Sequence, residues 1–106
     1  MIRTIQLTDA KAIRDISEFS LGYKTTEAVT ERQIAKLLKD RQHFIRVYED
    51  DETHTVVGFI HAESYELLYK EPGFNILGLA LLSEYQHKGI GKQLVQALEA
   101  EAAARN

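Results

Sequence analysis

The residues best placed to do chemistry are Gln86, Gly89 and Gly91, in the run Gln86-His87-Lys88-Gly89-Ile90-Gly91. Before this run comes an apolar stretch, Ile76-Leu77-Gly78-Leu79-Ala80-Leu81-Leu82. After it, Leu94, Val95, Leu98 and Ala102 recur at helical spacing. A strand that turns through two glycines into a helix aims several backbone N–H groups at one point. That point lies at the positive end of the helix dipole and suits a phosphate or pyrophosphate. Gly89 and Gly91 permit close backbone approach and unusual dihedrals where a side chain would obstruct a ligand. Lys88 and Lys92 flank the turn with positive charge. A phosphorylated cofactor is the expected ligand.

Two common phosphate-binding patterns are missing. The segment lacks the Gly-x-x-x-x-Gly-Lys-Ser/Thr of a nucleoside-triphosphate loop, and it lacks the third glycine of the dinucleotide fingerprint. It closely resembles the acetyl-CoA-binding motif of the GNAT N-acetyltransferase superfamily, Gln/Arg-x-x-Gly-x-Gly/Ala, with Gln86, Gly89 and Gly91 at the defined positions. The flanking Leu79-Ala80-Leu81 and Glu84-Tyr85 are also typical of that family.

The resemblance implies an acetyl-CoA-dependent N-acetyltransferase in which a neutral primary amine attacks the thioester directly. A family protein supplies orientation, a proton acceptor and stabilisation of developing charge. The cofactor-binding set it implies is Leu79, Ala80 and Leu81 on the strand and Gln86, His87, Lys88, Gly89, Ile90, Gly91 and Lys92 in the turn. The turn amides would hold the pyrophosphate. The main chain of Leu79 and Leu81 would pair with the pantetheine amides like an added strand, with an amide near Ala80 set to polarise the thioester oxygen. No metal is called for, and His43, His54, His61 and His87 show no ligand spacing. The alternative is a CoA-binding or inactive module of the same fold.

The proton acceptor departs from the family pattern. A glutamate used by some members aligns with Asn75, which cannot accept a proton. Glu63 is the candidate base, acting through water, against the plainer reading of a solvated strand-end carboxylate. Alternation places His61, with an ordinary pKa near 6.5, on the same face as Glu63. Tyr85 is read as a packing residue beside the turn. The resemblance places the acceptor amine, a small molecule or a peptide, near the first helices and the loop before the cofactor strand. Tyr23, Tyr65 and Tyr69 are then candidate pocket walls, as is Phe19, which core packing explains equally well. Glu66 and Glu71 are surface carboxylates with some reach toward a cationic amine.

Ile2 to Leu7 reads as a first strand, and Thr8 is positioned to cap a helix bearing Ile13, Ile16 and Phe19 on one face and ending at Gly22. Thr30 and Gln33 have capping-box spacing for a second helix with Ile34, Leu37 and Leu38 buried. Two strands follow, around Phe44–Tyr48 and Val56–Ile60. The acidic turn Glu49-Asp50-Asp51-Glu52 between them reads as solvated rather than as a cation site. Gly58 marks a bulge or close backbone approach. A loop from Ser64 to Pro72 leads to the cofactor strand. The class is a mixed α/β sheet, β-α-α-β-β-β-α, forming a single domain over residues 1–106.

With 106 residues, 44% hydrophobic and 27% charged, the chain has globular composition and room for one core. Cysteine is absent, so thiolate chemistry and disulfides are excluded. The net charge of −3 gives no electrostatic reason for nucleic-acid binding. No apolar run approaches the roughly 20 residues of a membrane span, and a cytoplasmic protein is expected. The family fold ordinarily continues with a further strand, helix and strand pair, so this sequence is expected to be its C-terminally truncated front two-thirds. The strand at Ile76–Leu82 would then be a bare sheet edge, open to pairing with a second copy.

Overall fold

The computed structural model describes residues 1–105. Four strands form one antiparallel sheet in sequential order: β1 (Ile2–Thr4), β2 (His43–Glu49), β3 (Val56–Leu67) and β4 (Lys70–Leu81). Helices α1 (Ala10–Ile16) and α2 (Glu27–Leu37) separate β1 from β2, and α3 (Ile90–Arg105) follows β4. This is the expected order of elements and the expected mixed α/β class.

Strand alternation sends neighbouring residues of β3 into two separate cores. Phe59 joins Ile13, Ile16, Ile34, Val47 and Ala80 under α1 and α2. Ile60 and Ala62 join Phe44, Ile90, Leu94 and Leu98 under α3. Ile60, Val47 and Leu94 are wholly inaccessible to solvent, so β3 and the first turns of α3 are clamped at the centre of the molecule.

Several local expectations need correction. The first strand ends at Thr4, not Leu7, because Leu7–Asp9 turns as a short 3-10 helix. Asp9, rather than the Thr8 hydroxyl, organises this entry: its carboxylate accepts the Gln6 N–H at 2.8 Å and both terminal nitrogens of Arg3 at 2.9 Å. Phe19 does not continue the buried stripe. Ser17–Leu21 widens into a π-helical turn, and Phe19 points outward, 70% exposed. Gly22 does end the element, in the left-handed conformation with φ +74°. The second helix starts earlier than expected, with the Thr26 hydroxyl accepting the Val29 N–H at 3.1 Å, and Thr30 lies inside it, buried. Of its stripe Ile34 is buried, Leu37 half-buried and Leu38 exposed.

The segment Ser64–Pro72 is not a loop. Strands β3 and β4 run on past it as a long hairpin that turns at Leu68-Tyr69, with Leu67 opposite Lys70. The Gly58 reading holds in both senses. The β2–β3 register slips beside it, and a Cβ at Gly58 would stand 2.2 Å from Leu81 Cδ2. Strand β4 is the last in the sheet, with Ile76 and Leu77 about half exposed. Among the described residues no helix is long and apolar enough to cross a membrane.

Candidate functional site

The path from β4 into α3 is built by a few backbone bonds. Leu82 donates its N–H to Val57 at 2.9 Å as the strand ends, and a 3-10 turn over Ser83–Tyr85 follows. The chain then reverses through His87 (φ +63°) and Gly89 (φ +83°). Helix α3 opens with Gln93 N–H bonded to the Gly89 carbonyl at 3.1 Å. The N–H groups of Ile90, Gly91 and Lys92 therefore have no partner within the helix, and they sit at the positive end of its dipole. Gly89 is the position whose φ requires glycine, and a Cβ there would meet no atom within 4 Å. Gly91 has an ordinary φ. Its missing side chain keeps the helix mouth uncovered, with Leu81 Cδ1 3.7 Å from where a Cβ would be.

A cleft of about 430 Å³ opens at this mouth. Leu79, Ala80, Leu81, Gln86, His87, Gly89, Gly91 and Lys92 line it, together with Ser20 and Leu21. The remaining two residues of the expected cofactor set behave differently. Lys88 places its Nζ 5.5 Å over the Tyr85 ring, and Ile90 is buried in the α3 core, so only its main chain is offered to the cleft. Ser20 is a lining residue that sequence reasoning missed. Its hydroxyl donates to the Leu81 carbonyl at 2.5 Å, and Gln86 Nε2 donates to the same oxygen at 3.2 Å. The π-helical turn that swings Phe19 outward is what brings Ser20 there, and a helical periodicity count carries no signal for it.

The antiparallel ladder settles which main-chain groups of β4 face outward. The Leu82–Val57 bond makes that pair a hydrogen-bonded one, so bonding alternates back along the strand. Phe59–Ala80 is then a bonded pair, while Gly58–Leu81 and Ile60–Leu79 are not. Leu79 and Leu81 thus turn their N–H and C=O groups to the open edge. Ala80 spends its own on β3.

The turn is tethered from behind. Tyr85 Oη donates to Asp50 Oδ2 at 2.7 Å, and Asp50 Oδ1 accepts the N–H groups of Glu52 and Thr53. The Tyr85 bond is the main cause holding the Asp50 carboxyl below the ordinary carboxylate range, and Asp50 in turn raises the Tyr85 hydroxyl. Next to it Glu49 accepts Arg3 Nε at 2.9 Å. The acidic turn is thus partly structural, not merely solvated.

Glu63 and His61 share the α1/α2 face, as expected from alternation. Glu63 is paired in register with His43 on β2 and Asn75 on β4. His43 stands between the two side chains, its Nε2 3.3 Å from Glu63 Oε2 and its Nδ1 2.8 Å from His61 Nε2. Burial first, then the charge of His43, pushes the His61 imidazole pKa down from 6.5, against a smaller upward pull from Glu63. The candidate wall tyrosines do not converge. Tyr23 and Tyr69 are 70% and 83% exposed, and Tyr65 lines a separate groove with Arg41, Phe74 and Arg105. Among the described residues no cluster of three or more His, Cys, Asp or Glu side chains is arranged to hold a metal.

The acetyltransferase (GNAT) family model matches residues 10–106. No curated protein matches the chain. Solved structures with the same fold include an aminoglycoside antibiotic 6'-N-acetyltransferase of Acinetobacter haemolyticus, at 16% identity and a TM-score of 0.80, covering 98% of this chain and 72% of that one. A glucosamine-6-phosphate N-acetyltransferase of Arabidopsis thaliana is similar at 17% identity and TM-score 0.81, covering 99% and 75%. A transcriptional regulator of Bacillus halodurans is similar at 18% and 0.84, covering 99% and 75%. At these identities the likeness is one of fold.

Proposed function

We propose that this chain, which belongs to the acetyltransferase (GNAT) family, binds acetyl-CoA in the cleft between β4 and the α3 mouth and transfers its acetyl group to a primary amine. The single observation that carries this reading is the joining of two features in one cleft. One is a helix mouth with unpartnered N–H groups at Ile90, Gly91 and Lys92; the other is a strand edge with outward main-chain groups at Leu79 and Leu81. A diphosphate fits the first, and an amide-bearing arm fits the second as an added strand.

Acetyl-CoA brings a thioester carbonyl open to amine attack; the rest falls to the protein's residues. The α3 mouth and Lys92 anchor the negative end, and the Gly89 reversal keeps the amides aimed at it. Ser20 and Gln86 occupy the Leu81 carbonyl, which fixes the end of β4 and leaves the Leu81 N–H and both Leu79 groups for the arm. Holding the donor in one extended pose converts a bimolecular encounter into a positioned one. Proton removal falls to the His61–His43–Glu63 group on the α1/α2 face, which contains the expected carboxylate.

A binding module without turnover is the second reading, and one feature favours it. From Pro72 to Leu81, β4 carries no titratable side chain, and Asn75 stands where a base would serve. The deciding experiment incubates the chain with acetyl-CoA and kanamycin, glucosamine 6-phosphate or a peptide with a free N-terminal amine, and follows CoA thiol release and acetylated product by mass. Acetylation of any of these amines supports transfer. Saturable acetyl-CoA binding with no product from any of the three supports the module.

A further inference from the structure

We propose that His61 is the general base of this site, held in its working tautomer by His43 and Glu63, an inference that rests on the acetyl-transfer reading above. The three side chains lie in one hydrogen-bonded line across β2 and β3: His61 Nε2 to His43 Nδ1 at 2.8 Å, then His43 Nε2 to Glu63 Oε2 at 3.3 Å.

The chemistry of the end group fixes the protons along this line. An ionised carboxylate only accepts, so His43 must carry its proton on Nε2. In the state where His43 is neutral, its Nδ1 is then an acceptor and His61 donates from Nε2. That leaves the lone pair of His61 on Nδ1, an atom with no hydrogen-bond partner among the described residues. This is the logic of a carboxylate orienting an imidazole, extended by one ring. The rings bond to each other, so they do not converge on a common point as metal ligands would.

Position supports the same role. His61 is paired with Gly78 on β4, three residues back along the strand from Leu81 and on the face it shares with Ala80. An arm running from the α3 mouth along Leu81 and Leu79 reaches Gly78 next. Gly78 itself carries no side chain, and a Cβ there would meet the Phe59 ring at 3.4 Å. Strand β4 offers no base of its own between Pro72 and Leu81, so the adjoining strand is the source of one.

The groups acting on His61 are His43 from β2 and Glu63 from its own strand, with Asp40 beyond α2 lying 3.9 Å from His43 Nε2. Charged residues of α1 and α2 pair with none of them among the described residues. His43 is 12% exposed and Glu63 46%, so the line runs from a half-buried base toward solvent. Burial keeps His61 neutral, and thus able to accept, at neutral pH. In the step itself the amine nitrogen bonds to the acyl carbon and the C–S electron pair leaves with sulfur. The amine proton goes to His61 Nδ1 and from there to water, while the CoA thiolate takes a proton from solvent.

Long-range ¹H–¹⁵N correlation spectra of the labelled chain across pH 5 to 8 test the arrangement without any substrate. The expected result is neutral His61 protonated on Nε2 and bare on Nδ1. In Glu63→Gln its titration midpoint moves lower still, because the carboxylate's upward pull is gone. His61 protonated on Nδ1, or a midpoint unmoved in Glu63→Gln, overturns the proposal. In acetyl transfer to the amines named above, His61→Asn is expected to lose about 100-fold in kcat with acetyl-CoA affinity unchanged. Retention of kcat within about twofold overturns the assignment of His61 as base. Failure of the wild-type chain to bind acetyl-CoA would overturn the transfer reading instead, and the tautomer spectra would still judge the triad.

Discussion

The Tyr85 hydroxyl lies 2.7 Å from Asp50, tying the segment that leads into α3 to the hairpin turn between β2 and β3. The glycine turn is held by this contact on one side and by the buried Ile90 on the other, with Gln86 Nε2 bonding back to the Leu81 carbonyl at 3.2 Å.

Removing that tether should therefore act on binding more than on folding. Tyr85→Phe and Asp50→Ala are each expected to weaken acetyl-CoA several-fold by calorimetry; Tyr85→Phe should leave the denaturation midpoint nearly unchanged, whereas Asp50→Ala should lower it by also freeing the Glu52 and Thr53 N–H groups. The double variant should be no weaker than the worse single one, because both remove the same contact.

The two glycines should respond differently. Gly89→Ala forces a Cβ onto a left-handed residue and is expected to cost about 1–2 kcal/mol of stability. Gly91→Ala has an ordinary φ and gains helix propensity of up to about 1 kcal/mol, so its stability should hold or rise. Aspartate at either position should abolish acetyl-CoA binding, by steric block and by charge facing a diphosphate. Denaturant titration and calorimetry on the four variants separate the effects.

Gly58→Ala probes the support of the cofactor strand from behind. Its Cβ would stand 2.2 Å from Leu81 Cδ2 and 3.1 Å from the Ala80 carbonyl. The Leu81 side chain must move, and overpacking of this kind costs roughly 1–3 kcal/mol. The expected result is lower stability together with weaker acetyl-CoA binding, although Gly58 does not line the cleft.

The depressed His61 pKa carries a pH signature. The unfolded chain binds a proton near pH 6.5 that the folded chain resists, so unfolded molecules hold more protons below that pH, and stability rises with pH there. Wild-type stability should be level above about pH 6.5 and fall as pH drops below it. Urea denaturation of wild type and His61→Asn at pH 5.5 and 7.5 checks this: the wild type should lose more on acidification.

The turn chemistry was legible because it depends on local residue types. Gln86, Gly89 and Gly91, between an apolar run and a helical pattern, specify a strand, a reversal and a helix mouth without tertiary information. The order of elements was legible for the same reason. What escaped were contacts made across the sheet or by irregular backbone. His43 reaches His61 and Glu63 only through the β2–β3 register, and Ser20 meets Leu81 only because a π-helical turn breaks the 3.6-residue period. The stretch Ser64–Pro72 concealed a hairpin because Pro72 interrupts the strand pattern and no Gly, Asn or Asp marks the turn at Leu68-Tyr69. Tyr23, Tyr65 and Tyr69 are candidate walls only through the segments the resemblance points to, and the fold does not bring them together.

Calorimetric titration with acetyl-CoA, with desulfo-CoA and ATP as controls, tests the central claim most directly. Saturable binding of acetyl-CoA and desulfo-CoA, with ATP much weaker, is predicted, because the α3 mouth takes the diphosphate and the Leu79–Leu81 edge adds the arm. A folded chain that binds neither CoA compound, or binds ATP equally well, would contradict the assignment of this cleft.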